Sequence, residues 1–159
     1  MSALLEELGH WLPAKDGDAR AAALYRRHYS AYQYADKRRA NPYNRARNLI
    51  VGPGEKMVLM NGDCTALFVW RKFIDDSGQQ GVNCAVFRNE SKALSSAMIL
   101  EAERLAWQRW PGARLYTYVD AAAVQSANPG YCFKCAGWRT AGRTRSRKLI
   151  ILEKREAGQ

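Results

Sequence analysis

The spacing of apolar positions changes along this chain, and each change marks an element. Ala21, Leu24, Tyr25 and His28 recur at helical spacing, so Asp18–Tyr29 is predicted to be a short helix, and Ser2–Leu12 another, with Pro13–Gly17 between them. Residues 30–48 are polar, aromatic and basic around Pro42, and are predicted to form an irregular arm. The period then becomes that of strands. Lys56–Met60, Cys64–Phe73 and Val82–Phe87 are predicted strands, separated by the turn signals Asn61-Gly62-Asp63 and Asp75–Gln80.

Helical spacing returns at Leu94, Ala97, Met98, Glu101, Ala102 and Leu105, with Asn89 and Ser91 as candidate caps and Pro111 as the stop. Arg114–Val119 is the next strand. A short helix follows, closing on Ala136-Gly137-Trp138, and two strands joined by a basic turn end in Lys148–Lys154. The order is helix, helix, three antiparallel strands, helix, strand, helix, two strands.

That order, with a helix closing on an Ala-Gly-aromatic turn before a final strand pair, resembles the GNAT (acyl-CoA N-acyltransferase) fold. The resemblance implies an α+β domain with a mixed, mostly antiparallel sheet, splayed central strands and flanking helices. It also implies an acyl-CoA cofactor between the splayed strands, its amides bound by unpaired backbone groups. One domain over 1–159 is expected: an N-terminal helix and linker (1–17), a helix with the basic aromatic arm (18–48), and a sheet core holding the cleft (54–154).

Under the resemblance, Val86, Phe87 and Arg88 line the cofactor. Ser91, Lys92, Ser95 and Ser96 serve its pyrophosphate at a helix N-terminus, and Asn128 is a further cofactor contact. The usual glycine-bearing GNAT pyrophosphate signature is missing, because Arg88-Asn89-Glu90-Ser91-Lys92-Ala93 contains no glycine.

Charge sharpens this picture. Lys and Arg total 25 against 15 Asp and Glu, a formal net charge of +10. Tyr25–Asn48 carries Arg26, Arg27, Lys37, Arg38, Arg39, Arg45 and Arg47 against Asp36 alone, and Arg139–Lys148 carries five cations and no acid. Such clustering points to a polyanionic partner, the alternative being a merely solubilising surface. Acidic Glu6 and Glu7 stand where a signal peptide needs cations, and there is no apolar run near ~20 residues, so a soluble cytoplasmic protein with no membrane partner is expected. Cys64, Cys84, Cys132 and Cys135 suit a reducing compartment. The Cys132-x-x-Cys135 pair lacks the second half of a zinc site, and small packing residues are the default reading.

Four motifs together are more specific. Arg27–Ser30, Phe87–Glu90, Tyr116–Asp120 and Asn128–Trp138 resemble the phage Mom DNA-modification family. That resemblance implies an enzyme altering the exocyclic amine of adenine in duplex DNA to a carbamoylmethyl (acetamido-type) group, which protects the DNA from restriction. It implies catalytic roles for His28, Tyr29, Asp120 and Tyr131. Where many GNAT enzymes have an acidic tyrosine, this chain has Phe133, which donates no proton.

Chemistry and charge agree with a base modifier. The amine must lose a proton as it attacks, and a stacked base must be extruded. Arg26, Arg27, Tyr32, Lys37, Arg38, Arg39, Arg45 and Arg47 of the arm, with Arg143 and Arg145, are the expected DNA contacts. Acetyl-CoA or a related acyl donor is the expected cofactor. His28, Tyr29 and Asp120 also suit a metal such as iron, although no local spacing demands one. An ordinary GNAT acetylating a small-molecule or protein amine, and a non-catalytic DNA-binding relative, remain open. Oligomeric state is also open, a homodimer included.

Overall fold

A central strand buried on both faces organises the molecule. The computed structural model describes residues 9–28, 48–52, 54–74, 78–123 and 128–157. Within them, strands β1 (Leu12–Ala14), β2 (Glu55–Met60), β3 (Ala66–Lys72), β4 (Val82–Asn89), β5 (Leu115–Val119), β6 (Arg139–Arg143) and β7 (Ile150–Lys154) form one sheet in the order β1-β2-β3-β4-β5-β7-β6. Every neighbouring pair is antiparallel except β4 and β5, which run parallel. The architecture is α+β. Ala66–Trp70 of β3 are fully buried, which accounts for their unbroken apolar run.

Helix α1 (Ala19–Arg26) covers one face, where Ala21 and Leu24 pack with Val58, Met60, Leu67, Val69 and Val86. Its N-cap is Asp18, whose Oδ1 accepts from the Arg20 amide at 2.8 Å, a cap of the kind that contributes about 1 kcal/mol. On the other face lie α2 (Ser95–Arg109) and α3 (Tyr131–Cys135). There Met98, Ile99, Ala102 and Ala106 meet Phe68, Trp70, Cys84, Trp138 and Leu152. Two indoles fasten α2 to this core: Trp11 Nε1 donates to Met98 O at 2.8 Å and Trp70 Nε1 to Ala102 O at 2.9 Å. No helix among the described residues is long and apolar enough to cross a membrane.

The N-terminal expectation needs correction. Residues 9–12 are not helical, and Leu12–Ala14 instead pairs with Val58–Met60 as an edge strand, where the missing N–H of Pro13 is tolerated. A distant carboxylate decides the matter. Glu101 of α2 accepts from the His10 and Trp11 amides, with all three N···O distances between 2.6 and 2.8 Å. Residues 1–8 lie outside the described residues. Asn89 and Ser91 do not cap α2 either, because the helix begins at Ser95 behind Leu94.

Candidate functional site

The parallel pair β4–β5 opens part-way along. Val82, Asn83 and Cys84 pair with Leu115, Tyr116 and Thr117, and pairing then stops although β4 runs on to Asn89 and β5 to Val119. A bulge in β4 marks the point. Val69 pairs with Val86 and Trp70 with Cys84, so Ala85 is the extra residue. Ala85 and Val86 accordingly both pack on the α1 face, whereas Cys84 and Phe87 pack on the other. Such a residue bends and twists its strand, here away from β5. Beyond the bulge, Glu90 N donates to Thr65 O of the loop before β3 at 2.7 Å. By alternation, the backbone groups of Phe87 and Asn89 face the opening.

His28, two residues past the end of α1, stands at this exposed backbone and hydrogen-bonds Phe87. Burial, with the Arg88 cation as a second cause, pushes its imidazole down to about 4. The ring is neutral near pH 7 and a weaker base than an ordinary histidine, so it suits hydrogen-bonded positioning better than proton abstraction. The adjoining junction is ionic. Glu90 accepts from Arg27 Nε at 2.6 Å and Arg27 Nη2 at 2.9 Å, and from Arg88 Nε at 2.5 Å, while Arg88 Nη1 donates to Arg27 O at 2.7 Å. These two arginines hold the Glu90 carboxyl at about 2.

The depressed His28 value carries a stability consequence. Its folded pKa lies below the ordinary 6.5, so its contribution is fully present above that pH and is lost as pH falls toward 4. We expect His28→Gln to remove a loss of up to about 3 kcal/mol between those limits, measured by urea unfolding at stepped pH. Parallel acid profiles for the two proteins would exclude this assignment.

Asp120 lies across the opening, directly after β5. Its Oδ1 accepts from the Ala122 and Ala123 amides at 3.0 and 3.3 Å, which turns the chain and fixes the carboxylate at the strand end. Asn128 Oδ1 accepts from Lys134 Nζ at 2.8 Å, and its carbonyl from the Tyr131 amide at 3.1 Å. Tyr131 opens α3 and is exposed, with its phenol raised by its hydrogen bond to Cys135. Phe133, by contrast, is buried against Phe87 and Trp138. Because β4 and β5 are parallel, His28 at the far end of β4 and Asp120 at the far end of β5 share one end of the sheet.

The proposed phosphate loop is ordered mainly by Asn89. Its Oδ1 accepts from Ser91 N and Oγ, and its Nδ2 donates to Ala93 O and Ser95 Oγ. Ser91 is thereby engaged, and Arg88 is turned toward α1. Val86 packs into the α1-side core, so what β4 offers a cofactor is chiefly backbone. Ser95 and Ser96 open α2 behind Leu94, which provides no side-chain cap to the first amides of that helix, and exposed Lys92 lies in the preceding loop.

Of the expected DNA contacts, Arg26 is exposed and donates to Asn48 Oδ1, Arg27 is matched by Glu90, and Arg143 and Arg145 are exposed. Tyr32, Lys37, Arg38, Arg39, Arg45 and Arg47 lie outside the described residues, as does Tyr29. Among the described residues no group of three or more His, Cys, Asp or Glu side chains is arranged to hold a metal. The parts of the His28, Tyr29 and Asp120 set that are described do not by themselves make such a site. Glu90 stood within the Phe87–Glu90 motif without a role of its own; the structure makes it the acid that joins Arg27 to Arg88.

No protein-family model matches the chain, and a search of curated proteins returns no match.

Proposed function

We propose that this chain is a GNAT-like transferase that alters the exocyclic amine of adenine in duplex DNA, adding a carbamoylmethyl (acetamido-type) group that shields the DNA from restriction. One observation carries the reading: β4 and β5 part at the Ala85 bulge, and His28 and Asp120 come to the two sides of the gap at the same sheet end. The strand order β1-β2-β3-β4-β5-β7-β6 with a parallel pair opening midway is what a GNAT-like domain needs.

In this reading the backbone at Phe87 and Asn89 and the amides that open α2 would hold an acyl-CoA-type donor, which would supply the activated group. The chain's own residues then handle the amine. Asp120 would accept the proton released as the amine nitrogen bonds to the transferred carbon and the bond from that carbon to its carrier breaks, the carrier leaving with the electron pair, and the neutral His28 ring would orient the base beside Phe87. Tyr131, exposed at the start of α3, faces substrate or solvent rather than the core. A carbamoylmethyl product carries a nitrogen that acetyl-CoA does not supply, so the added mass constrains the donor. The protein would act in the cytoplasm of a phage-infected bacterium.

The test is mass spectrometry of nucleosides from DNA of cells expressing the protein. We expect an adenosine species of added mass that falls at least ~100-fold with Asp120→Asn, which preserves the amide-accepting oxygen of the turn but not the carboxylate. Unaltered nucleosides alongside abundant folded protein would refute DNA modification and favour an N-acetyltransferase of small-molecule or protein amines.

A further inference from the structure

The strand registers place a second basic element at the mouth of the opening. Val119, the last residue of β5, pairs with Ile150, and Ile150 pairs with Arg143, the last residue of β6. The β6–β7 turn, residues 144–149, therefore lies at the same end of the sheet as Asp120 and as the far end of β4. On the β4 side of the gap stand Arg26 and Arg27 at the end of α1. On the β5 side stands this hairpin.

Its composition is one-sided. Arg143, Arg145, Arg147 and Lys148 are exposed, as is every residue of β6, and no acid occurs from Arg139 to Leu152. The next acid, Glu153, is buried and accepts from both Arg114 and Arg139, so it does not offset the tip. The tip is also ordered. Thr144 N donates to Leu149 O at 2.9 Å, Leu149 N to Thr144 Oγ1 at 3.0 Å, and Arg143 Nη1 to Lys148 O at 3.2 Å. Cations carried on a closed turn lose less conformational freedom on binding than cations on a loose tail.

We propose that the β6–β7 hairpin is a second duplex-DNA contact, gripping phosphates across the opening from the end of α1. This rests on the DNA-modifying reading above. A duplex seated against both elements lies over the end of the gap, so a base extruded from it enters between Asp120 and His28. Two separated phosphate contacts flanking the extruded nucleotide fix its register in a way that one basic arm does not. A competing role for these charges is to protect an exposed edge strand from pairing with another chain. The two roles separate experimentally.

The experiment compares full-length protein with Arg145→Gln/Arg147→Gln/Lys148→Asn, and with the charge-conserving Arg145→Lys/Arg147→Lys/Lys148→Arg. Asparagine is chosen because position 148 has a φ of 57°, which it tolerates well. Binding to a labelled duplex of about 20 base pairs, to its single strands and to duplex RNA is followed by anisotropy across a salt series. The neutral variant is expected to bind duplex DNA at least ~10-fold more weakly at low salt, with a salt slope shallower by about 2 to 3 and an unchanged melting temperature. The charge-conserving variant should bind as the parent does. If the parent binds duplex DNA and the neutral variant matches it, or merely aggregates, the hairpin only guards the edge and the DNA reading survives. A loss confined to single strands or RNA would overturn the duplex assignment, and a parent with no affinity for duplex DNA would overturn both.

Discussion

Gly81→Ala is expected to destabilise the protein by about 3 to 5 kcal/mol and to lower its melting temperature by about 10 °C. Gly81 precedes β4 with φ at +124°, a conformation L side chains rarely adopt, and a Cβ there would come within 3.0 Å of the Arg114 carbonyl. That carbonyl cannot retreat cheaply. It accepts from Val82 N at 2.8 Å in the first link between β4 and β5. The Arg114 side chain is held in turn by Glu153 Oε1 at 2.7 Å and by the Gln80 carbonyl at 3.0 Å. With only three residue pairs joining β4 to β5, pressure at their base also disturbs the width of the gap above. Under the proposed function, DNA modification should therefore fall further than the folded fraction does. Gly62→Ala, where an added Cβ meets nothing within 4 Å, is the control and should cost less than about 0.5 kcal/mol. Equal melting temperatures for the two variants would show that the β4–β5 base yields.

Which features were legible follows from where their causes lie. Five of the seven strands and α2 were readable because their apolar periods are set by burial on one or two faces, and binary pattern records burial directly; β6, exposed throughout, was expected only as the partner of β7 across the basic turn. β1 was not. Leu12-Pro13-Ala14 is short and contains proline, and it is strand only because β2 offers an edge and Glu101, about ninety residues away, takes the preceding amides. The start of α2 was misplaced for a related reason. Asn89 and Ser91 have the chemistry of caps, but they use it on one another and on Ala93, folding a loop before the helix begins.

The candidate site is where sequence rules succeed only in part. The motifs naming His28 and Asp120 carried no information about distance, and their common position depends on the parallel pairing of β4 and β5. The bulge that parts those strands did leave a trace: Cys84-Ala85-Val86-Phe87 breaks the alternation of Val82–Phe87 with four consecutive apolar residues. Alternation that slips by one residue is how a bulge looks in sequence. The pKa of His28 left no such trace, since burial and Arg88 set it and both are tertiary.

Removing the buried carboxylate of α2 is expected to produce the other large effect. Glu103 of α2 is nearly inaccessible, and it accepts from Trp138 Nε1 and from Lys154 Nζ, both at 2.7 Å. Lys154 also donates to Ala136 O at 2.7 Å, so one ion pair ties α2, the end of α3 and β7 together. Glu103→Ala leaves an ammonium in this interior without its counter-charge and an indole N–H without an acceptor, a loss of about 3 to 5 kcal/mol. The pair is nonetheless not expected to be a net source of stability. Replacing both partners, as Glu103→Leu with Lys154→Met, should recover most of the loss, because the desolvation of both charges disappears along with their attraction. The pH dependence supplies a second readout. Burial raises the Glu103 carboxyl above its ordinary 4.5 against the opposing influence of Lys154 and Trp138. Its contribution is thus fully present below that pH and declines as pH rises through the elevated folded value. Glu103→Gln should abolish that decline. Urea unfolding of the three variants from pH 4 upward checks both parts, and a double variant as unstable as Glu103→Ala would mean that Lys154 is needed for its own packing rather than for its charge.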